Sequence, residues 1–217
     1  MNTDPKKLVQ SGYDVVAGEY ASWAGRIDDP VRQRWVNFLL ENHPEGAPLL
    51  DLGCGNGLPS TREPAGRFAV TGVDISARQL ELAWRNVPNA TFIQTEMSQL
   101  DFPPESFDAV TAFYSIIHLP RDEQPGLLQS IQGWLRPGGY LVVVMGAADA
   151  PGDVDPDWLG APMYWSHFNS VTNIAMIEDA GFEIVSAQEE TISEAGVPVT
   201  FLWVIARNPN NQTFIET

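Results

Sequence analysis

The chain has a single cysteine, Cys54, so it can form neither an intramolecular disulfide nor a cysteine-rich metal site. Basic residues are scarce too: 12 Lys and Arg stand against 28 Asp and Glu, a formal net charge of −16. A surface of that sign repels phosphate backbones and anionic lipid, so neither nucleic acid nor membrane is expected as a partner. No apolar run nears the length of about 18 residues that a membrane-crossing helix needs. Residues Met1 to Gln10 are polar and carry two lysines, without the apolar stretch of a signal peptide. The cytoplasm is therefore the expected compartment. Only three histidines are present, His43, His118 and His167, which narrows the choice of a general base.

What is present is enough for one domain. Of 217 residues 44% are apolar, an ordinary content for a chain that buries a core. The organising stretch is Leu49-Leu50-Asp51-Leu52-Gly53-Cys54-Gly55-Asn56-Gly57. A short apolar run reads as a buried parallel strand, and glycines at alternate positions let the next loop turn sharply under a ligand. The amides of such a loop, with those of a following helix, are expected to receive an anion. A second run, Phe68 to Val73, also ends on an acid, and Asp74 follows Gly53 by 21 residues. An acid at that distance, on the tip of the second strand, suits a ribose diol. Leu58 stands where a dinucleotide fingerprint has its third glycine, which counts against a nicotinamide or flavin dinucleotide.

Residues 11–43 read as helical and aromatic. Asp29-Pro30 looks like a cap and first-turn proline, with Val31, Trp35, Phe38 and Leu39 on one helical face. Tyr13, Tyr20 and Trp23 either pack this segment on the domain or form a lid. Pro64 predicts a brief or kinked helix after the glycine loop. Ser76 to Gln79 is a capping box for a helix to about Asn86. Strands are expected at 91–95, 107–113 and 140–145, with a helix on Leu127, Leu128, Ile131 and Leu135 stopped by Arg136-Pro137-Gly138-Gly139. This alternation predicts a doubly wound α/β fold. Residues 147–170 break the pattern and read as a loop over the carboxyl ends of the strands. Its acids, Asp149, Asp153, Asp155 and Asp157, lack the glycine and terminal Glu of a calcium loop, so no metal is expected. Residues 171–207 predict a final helix, on Val171, Ile174 and Ile177, and a hairpin of strands at 183–187 and 199–206. His43 reads as a solvated cap, and the Asn-rich tail from 208 as frayed.

The sequence Leu-Asp-Leu-Gly-Cys-Gly-Asn-Gly, then Gly-Val-Asp-Ile-Ser, Phe-Asp-Ala-Val-Thr-Ala-Phe and Leu-Arg-Pro-Gly-Gly-Tyr-Leu, resembles the class I methyltransferases that use S-adenosylmethionine. The likeness covers about residues 45–146, and Tyr13-Asp14-x-x-Ala17-x-x-Tyr20 is similar to the helical entry of small-molecule members. It implies a Rossmann-like seven-stranded sheet with the last strand antiparallel, and one domain over 1–217: a helical lid at 1–43, a cofactor core at 45–146, a substrate loop at 147–170, and the final helix and hairpin at 171–207. It also implies site roles. Asp51, Gly53, Cys54, Gly55 and Gly57 would surround the methionine end of S-adenosylmethionine, and Asp74 the ribose. Ile75, Glu96 and Met97 would border the adenine, with Glu96 standing where the family often has Asp. Tyr20 and Phe113 would lie by the sulfonium. Tyr13, Tyr114, Trp158, Tyr164, Trp165 and His167 would meet a small-molecule acceptor, and His118 is the candidate base, or else an orienting residue. S-adenosylhomocysteine would be the product. The alternatives are a non-catalytic module that holds the same cofactor and, less favoured, an NAD(P)-dependent oxidoreductase.

Overall fold

A computed structural model describes residues 4–24, 30–194 and 196–210. The expected cap at Asp29 lies outside these residues. Two helices open the chain, α1 (Pro5–Ala24) and α2 (Pro30–Asn42), followed by alternating strands and helices. These are β1 (Pro48–Leu52), α3 (Arg62–Ala65), β2 (Ala69–Asp74), α4 (Ala77–Asn86), β3 (Thr91–Gln94), β4 (Phe107–Ala112), α5 (Gln124–Trp134) and β5 (Leu135–Gly146). Then come β6 (Ala150–Trp158), β7 (Ala161–His167), α6 (Ser170–Asp179), β8 (Glu183–Glu194) and β9 (Val197–Arg207).

Seven strands form one sheet in the order β3-β2-β1-β4-β5-β9-β8. The five strands from β3 to β5 are parallel, and β9 runs antiparallel between β5 and β8. This is the doubly wound, Rossmann-like sheet with an antiparallel last strand that the sequence implies. Alternation along the strands divides the core between the two faces. Leu49, Val142 and Val144 join Trp35, Val36, Leu39 and Leu80 on one face, where Trp203 stacks on Trp35 with ring centres 5.7 Å apart. Leu50, Leu52, Leu141, Val143 and Met145 join Leu127, Leu128 and Ile131 on the other.

Local signals explain several boundaries. Ser76 caps α4 by accepting the Gln79 N–H at 3.1 Å, and Asn169 caps α6 by accepting the Thr172 N–H at 3.0 Å. The helix α3 is a single turn, as Pro64 predicts. Helix α5 stops at Trp134, just before Arg136-Pro137-Gly138-Gly139, which itself lies inside β5 at the register shift between the Leu135 and Tyr140 pairings.

Four expectations are corrected. Residues 150–167 are not a loop: β6 and β7 pair as an antiparallel hairpin, turned by Leu159 and Gly160 at φ 53° and 95°. Two consecutive positive φ values make the tight turn whose twist matches a hairpin. The final hairpin is longer than expected, because its strands pair as far as Glu194 and Val197. His43 is buried rather than solvated, with ring nitrogens 3.2 Å from the Leu39 carbonyl and 3.0 Å from that of Asp108. Asn208 is docked, its amide donating to the Leu135 carbonyl at 2.8 Å. Among the described residues no helix is long and apolar enough to cross a membrane.

Candidate active site

The strand order reverses between β1 and β4, where open α/β sheets leave a crevice at the carboxyl ends. Gly53 sits there at φ +71°, and a Cβ on it would collide with Ser115 just after β4. Ser115 in turn donates its hydroxyl to the Leu52 carbonyl at 2.7 Å. The floor of the crevice is thus a close approach of two loops that only glycine permits. Gly57 has a different task. A Cβ there would come within 2.9 Å of Val87, so this glycine seats the loop on α4 and lies away from the crevice.

The loop amides are not bare, contrary to expectation. Gly53 and Cys54 donate to the Val73 carbonyl at 2.8 and 2.9 Å, and Gly57 donates to Cys54 at 3.0 Å. Gly55 donates to an Asp74 carboxylate oxygen at 2.8 Å. The reversal folds the loop back over the end of β2, and its amides close that turn. Asp51 also stands behind the wall. It is buried and accepts hydroxyls from Thr61 at 2.7 Å and Thr111 at 2.8 Å, bracing the loop from beneath. Burial raises its pKa against the lowering effect of those two hydroxyls.

The crevice has two lobes. The first is lined by Asp74, Ile75, Glu96 and Met97, together with Gly53 and Gly55. Asp74 accepts the Ser76 N–H at 2.9 Å on its second oxygen. Burial pushes its carboxyl up to about 6, although the amides of Ser76 and Gly55 pull the other way. Helix α1 crosses this lobe and is tied to its rim. Lys6 bridges Glu96 at 2.6 Å and Glu123 at 2.8 Å. Gln10 donates to the Ile75 carbonyl at 3.1 Å, and Asp14 accepts the Ser76 hydroxyl at 2.6 Å. Gly12 allows α1 its close seat, since a Cβ there would lie 2.7 Å from the Pro162 carbonyl oxygen.

The second lobe is walled by aromatic rings. Trp158, at the tip of the β6–β7 hairpin, has its ring centre 5.6 Å from Tyr13, 5.9 Å from Tyr20, 6.0 Å from Trp23 and 5.5 Å from Trp165. Tyr13, Tyr20, Gly53, Gly55, Phe113, Tyr114 and His118 line both lobes and so stand at their junction. Tyr114 reaches it from a left-handed backbone, φ 55°, immediately after β4. Arg32 lies over the Tyr114 ring at 5.3 Å. At the junction His118 Nδ1 is 2.7 Å from the Tyr164 carbonyl, and Nε2 is 2.9 Å from the Tyr13 hydroxyl. A carbonyl only accepts, so Nδ1 carries the proton and Nε2 receives the Tyr13 O–H. Burial lowers the His118 pKa to about 4, against the raising effect of the Tyr164 carbonyl. Burial likewise raises the phenols of Tyr13 and Tyr20, and the Cys54 thiol, which is no nucleophile here.

Fifteen of the eighteen candidate site residues named from sequence reach the lobes; Asp51, Gly57 and Tyr164 do not. Tyr164 contributes its carbonyl rather than its ring. His167 lines the second lobe but is turned toward Ala148, whose carbonyl lies 2.6 Å from Nδ1. Sequence reasoning passed over Lys6, Gln10, Arg32 and Ser115. Each comes from an element remote in sequence from the one it meets, and no local pattern marks that.

Comparison with known proteins places this geometry. Residues 49–139 match a family model described as a methyltransferase domain. The chain is 30% identical over 143 residues to the phosphatidylethanolamine N-methyltransferase of Cereibacter sphaeroides, covering 60% of this chain and 68% of that protein. It spans about two fifths of several other curated relatives. Its fold matches the 1,6-didemethyltoxoflavin-N1-methyltransferase of Burkholderia thailandensis at TM-score 0.73, with 19% identity over 97% of this chain and 92% of that one. It also matches the cyclase SpnF at TM-score 0.70, with 21% identity over 93% and 95%. The chain belongs to the class I S-adenosylmethionine-dependent methyltransferases.

Proposed function

We propose that the protein transfers the methyl group of S-adenosylmethionine to a small-molecule acceptor by in-line displacement. The observation that carries this reading is the pair of lobes meeting at Tyr13, Tyr20, Phe113, Tyr114 and His118. In it the adenosine lies in the first lobe, its ribose on Asp74 and its adenine between Ile75, Glu96 and Met97. The methionine end passes Gly53 and Gly55. Because the amides of Gly53, Cys54, Gly55 and Gly57 are taken, the carboxylate turns to Arg32, a cation on the wall of the second lobe. The sulfonium sits at the junction, where aromatic faces tolerate a cation. The acceptor enters the second lobe.

The donor methyl is already activated. The protein's share is therefore alignment of nucleophile, carbon and sulfur, and exclusion of water by α1 and the β6–β7 hairpin. The structure of the Burkholderia thailandensis methyltransferase with bound 1,6-didemethyltoxoflavin and S-adenosylhomocysteine supports this reading. The fold is shared with a cyclase, so turnover is the decisive test. Calorimetry with S-adenosylmethionine and S-adenosylhomocysteine is expected to give heat with both. Silence from both ligands at millimolar concentration would end the proposal.

A further inference from the structure

We infer that the acceptor is a planar aromatic hydroxyl compound, its ring seated against Trp158 and its hydroxyl deprotonated through Tyr13 to His118. This rests on the methyl-transfer reading above and names its substrate class. Two observations carry it: the composition of the second lobe and the hydrogen-bond chain at the junction.

The lobe offers a flat guest continuous aromatic surface. Trp23, Trp158 and Trp165 meet edge to face, at interplanar angles of 76° and 84° about Trp158. Tyr20 and Phe201 extend the wall. Offset and edge-to-face contacts favour another aromatic ring. Of the two charged residues that reach the lobe, Arg32 is engaged by the cofactor carboxylate in the reading above and Glu194 remains, so nothing there favours an anionic guest.

The chain at the junction has a direction. The Tyr164 carbonyl fixes the His118 tautomer, which leaves Nε2 as acceptor for the Tyr13 O–H at 2.9 Å. With its proton committed to His118, the Tyr13 oxygen can only accept from the guest. An acceptor O–H placed in the second lobe at that oxygen completes a relay. In the transfer, a lone pair of the acceptor oxygen forms the new O–C bond as the S–C bond breaks and leaves its electron pair on sulfur. The acceptor proton passes to the Tyr13 oxygen, and the Tyr13 proton passes to His118 Nε2. The sulfonium loses its positive charge while the imidazole gains one, so net charge in the site is unchanged. The imidazolium then releases its proton to solvent. A weakly basic histidine suffices, because a hydroxyl bonding to a methyl group becomes a strong acid in the transition state. An amine acceptor would not require this chain, and an aryl thiol, a stronger acid than the corresponding phenol, is largely ionised before it arrives.

The test compares naphthol with thionaphthol as acceptors, reading S-adenosylhomocysteine formed by the wild type, Tyr13→Phe and His118→Gln. S-adenosylhomocysteine affinity, by calorimetry, checks that each variant is folded. The wild type is expected to methylate naphthol. In both variants the ratio of naphthol to thionaphthol turnover is expected to fall about a hundredfold, the usual scale of general-base assistance. An unchanged ratio in the variants that bind S-adenosylhomocysteine overturns the relay. A wild type that binds S-adenosylhomocysteine but methylates neither probe, or only the thiol, overturns the acceptor class and leaves the methyl-donor reading standing. Failure to bind S-adenosylhomocysteine would instead strike the parent proposal.

Discussion

One carboxylate oxygen of Asp74 accepts the backbone N–H of Gly55 at 2.8 Å, tying the tip of β2 to the glycine loop that follows β1. The other holds Ser76 N–H at 2.9 Å, at the start of α4. A residue proposed to hold the ribose is thus also the joint between three elements. Each oxygen keeps a further lone pair, so the joint can persist while a diol binds.

This double duty gives a pH dependence. A folded-state pKa of about 6, above the ordinary 3.8, means the folded apo protein binds this proton more tightly than the unfolded chain. Its contribution therefore favours folding at low pH and is lost as pH rises through about 6. Ligand affinity runs the opposite way, because ribose hydroxyls donate to the ionised carboxylate. S-adenosylhomocysteine is expected to bind about tenfold more weakly at pH 5 than at pH 7, by calorimetry. Asp74→Asn should weaken binding by about 1–3 kcal/mol and flatten this profile.

Arg32 is proposed to face the carboxylate of the cofactor. Arg32→Met should weaken S-adenosylhomocysteine by about 1.5–3 kcal/mol, the scale of a hydrogen bond to a charged group. Methylthioadenosine, which has no carboxylate, should bind the variant and the wild type alike. Equal losses for both ligands in a calorimetric comparison would place the carboxylate elsewhere.

Gly53→Ala should be severe. It combines a left-handed backbone with a Cβ driven into Ser115, for a loss of about 2–5 kcal/mol. Gly18, in α1, has no atom within 4 Å of a built Cβ. Gly18→Ala should therefore add about 0.5–1 kcal/mol. Thermal denaturation of the two variants should move in opposite directions.

Lys6 is held by Glu96 and Glu123, and although burial opposes its charge, these two carboxylates raise its pKa. It is one of several ties between α1 and the first lobe. A partly exposed ion pair contributes at most about 1 kcal/mol. Lys6→Met should accordingly speed S-adenosylhomocysteine release by no more than about fivefold, measured by stopped flow, and less at high salt.

The fold was legible wherever local order carried it. Apolar runs ending on Asp51 and Asp74, the Ser76 cap and the period-3.6 stripe on α5 all act over a few residues. They predicted the parallel core and its crevice. The β6–β7 hairpin was not legible because its first strand is exposed from Pro151 to Asp157, so burial wrote no alternation into it. A turn signal existed at Leu159-Gly160, but only pairing with β7 gives it meaning.

For the site, residue types and spacing along the chain determined that a glycine loop and an acid would face one ligand. Which atoms remain free to meet it was decided by tertiary structure alone. The amides expected to bind are consumed by Val73 and Asp74, and the proton on His118 is placed by a carbonyl 46 residues away. Hydrogen-bond partners are settled by which groups come within 3 Å after folding, and distance through space is not written in distance along the chain.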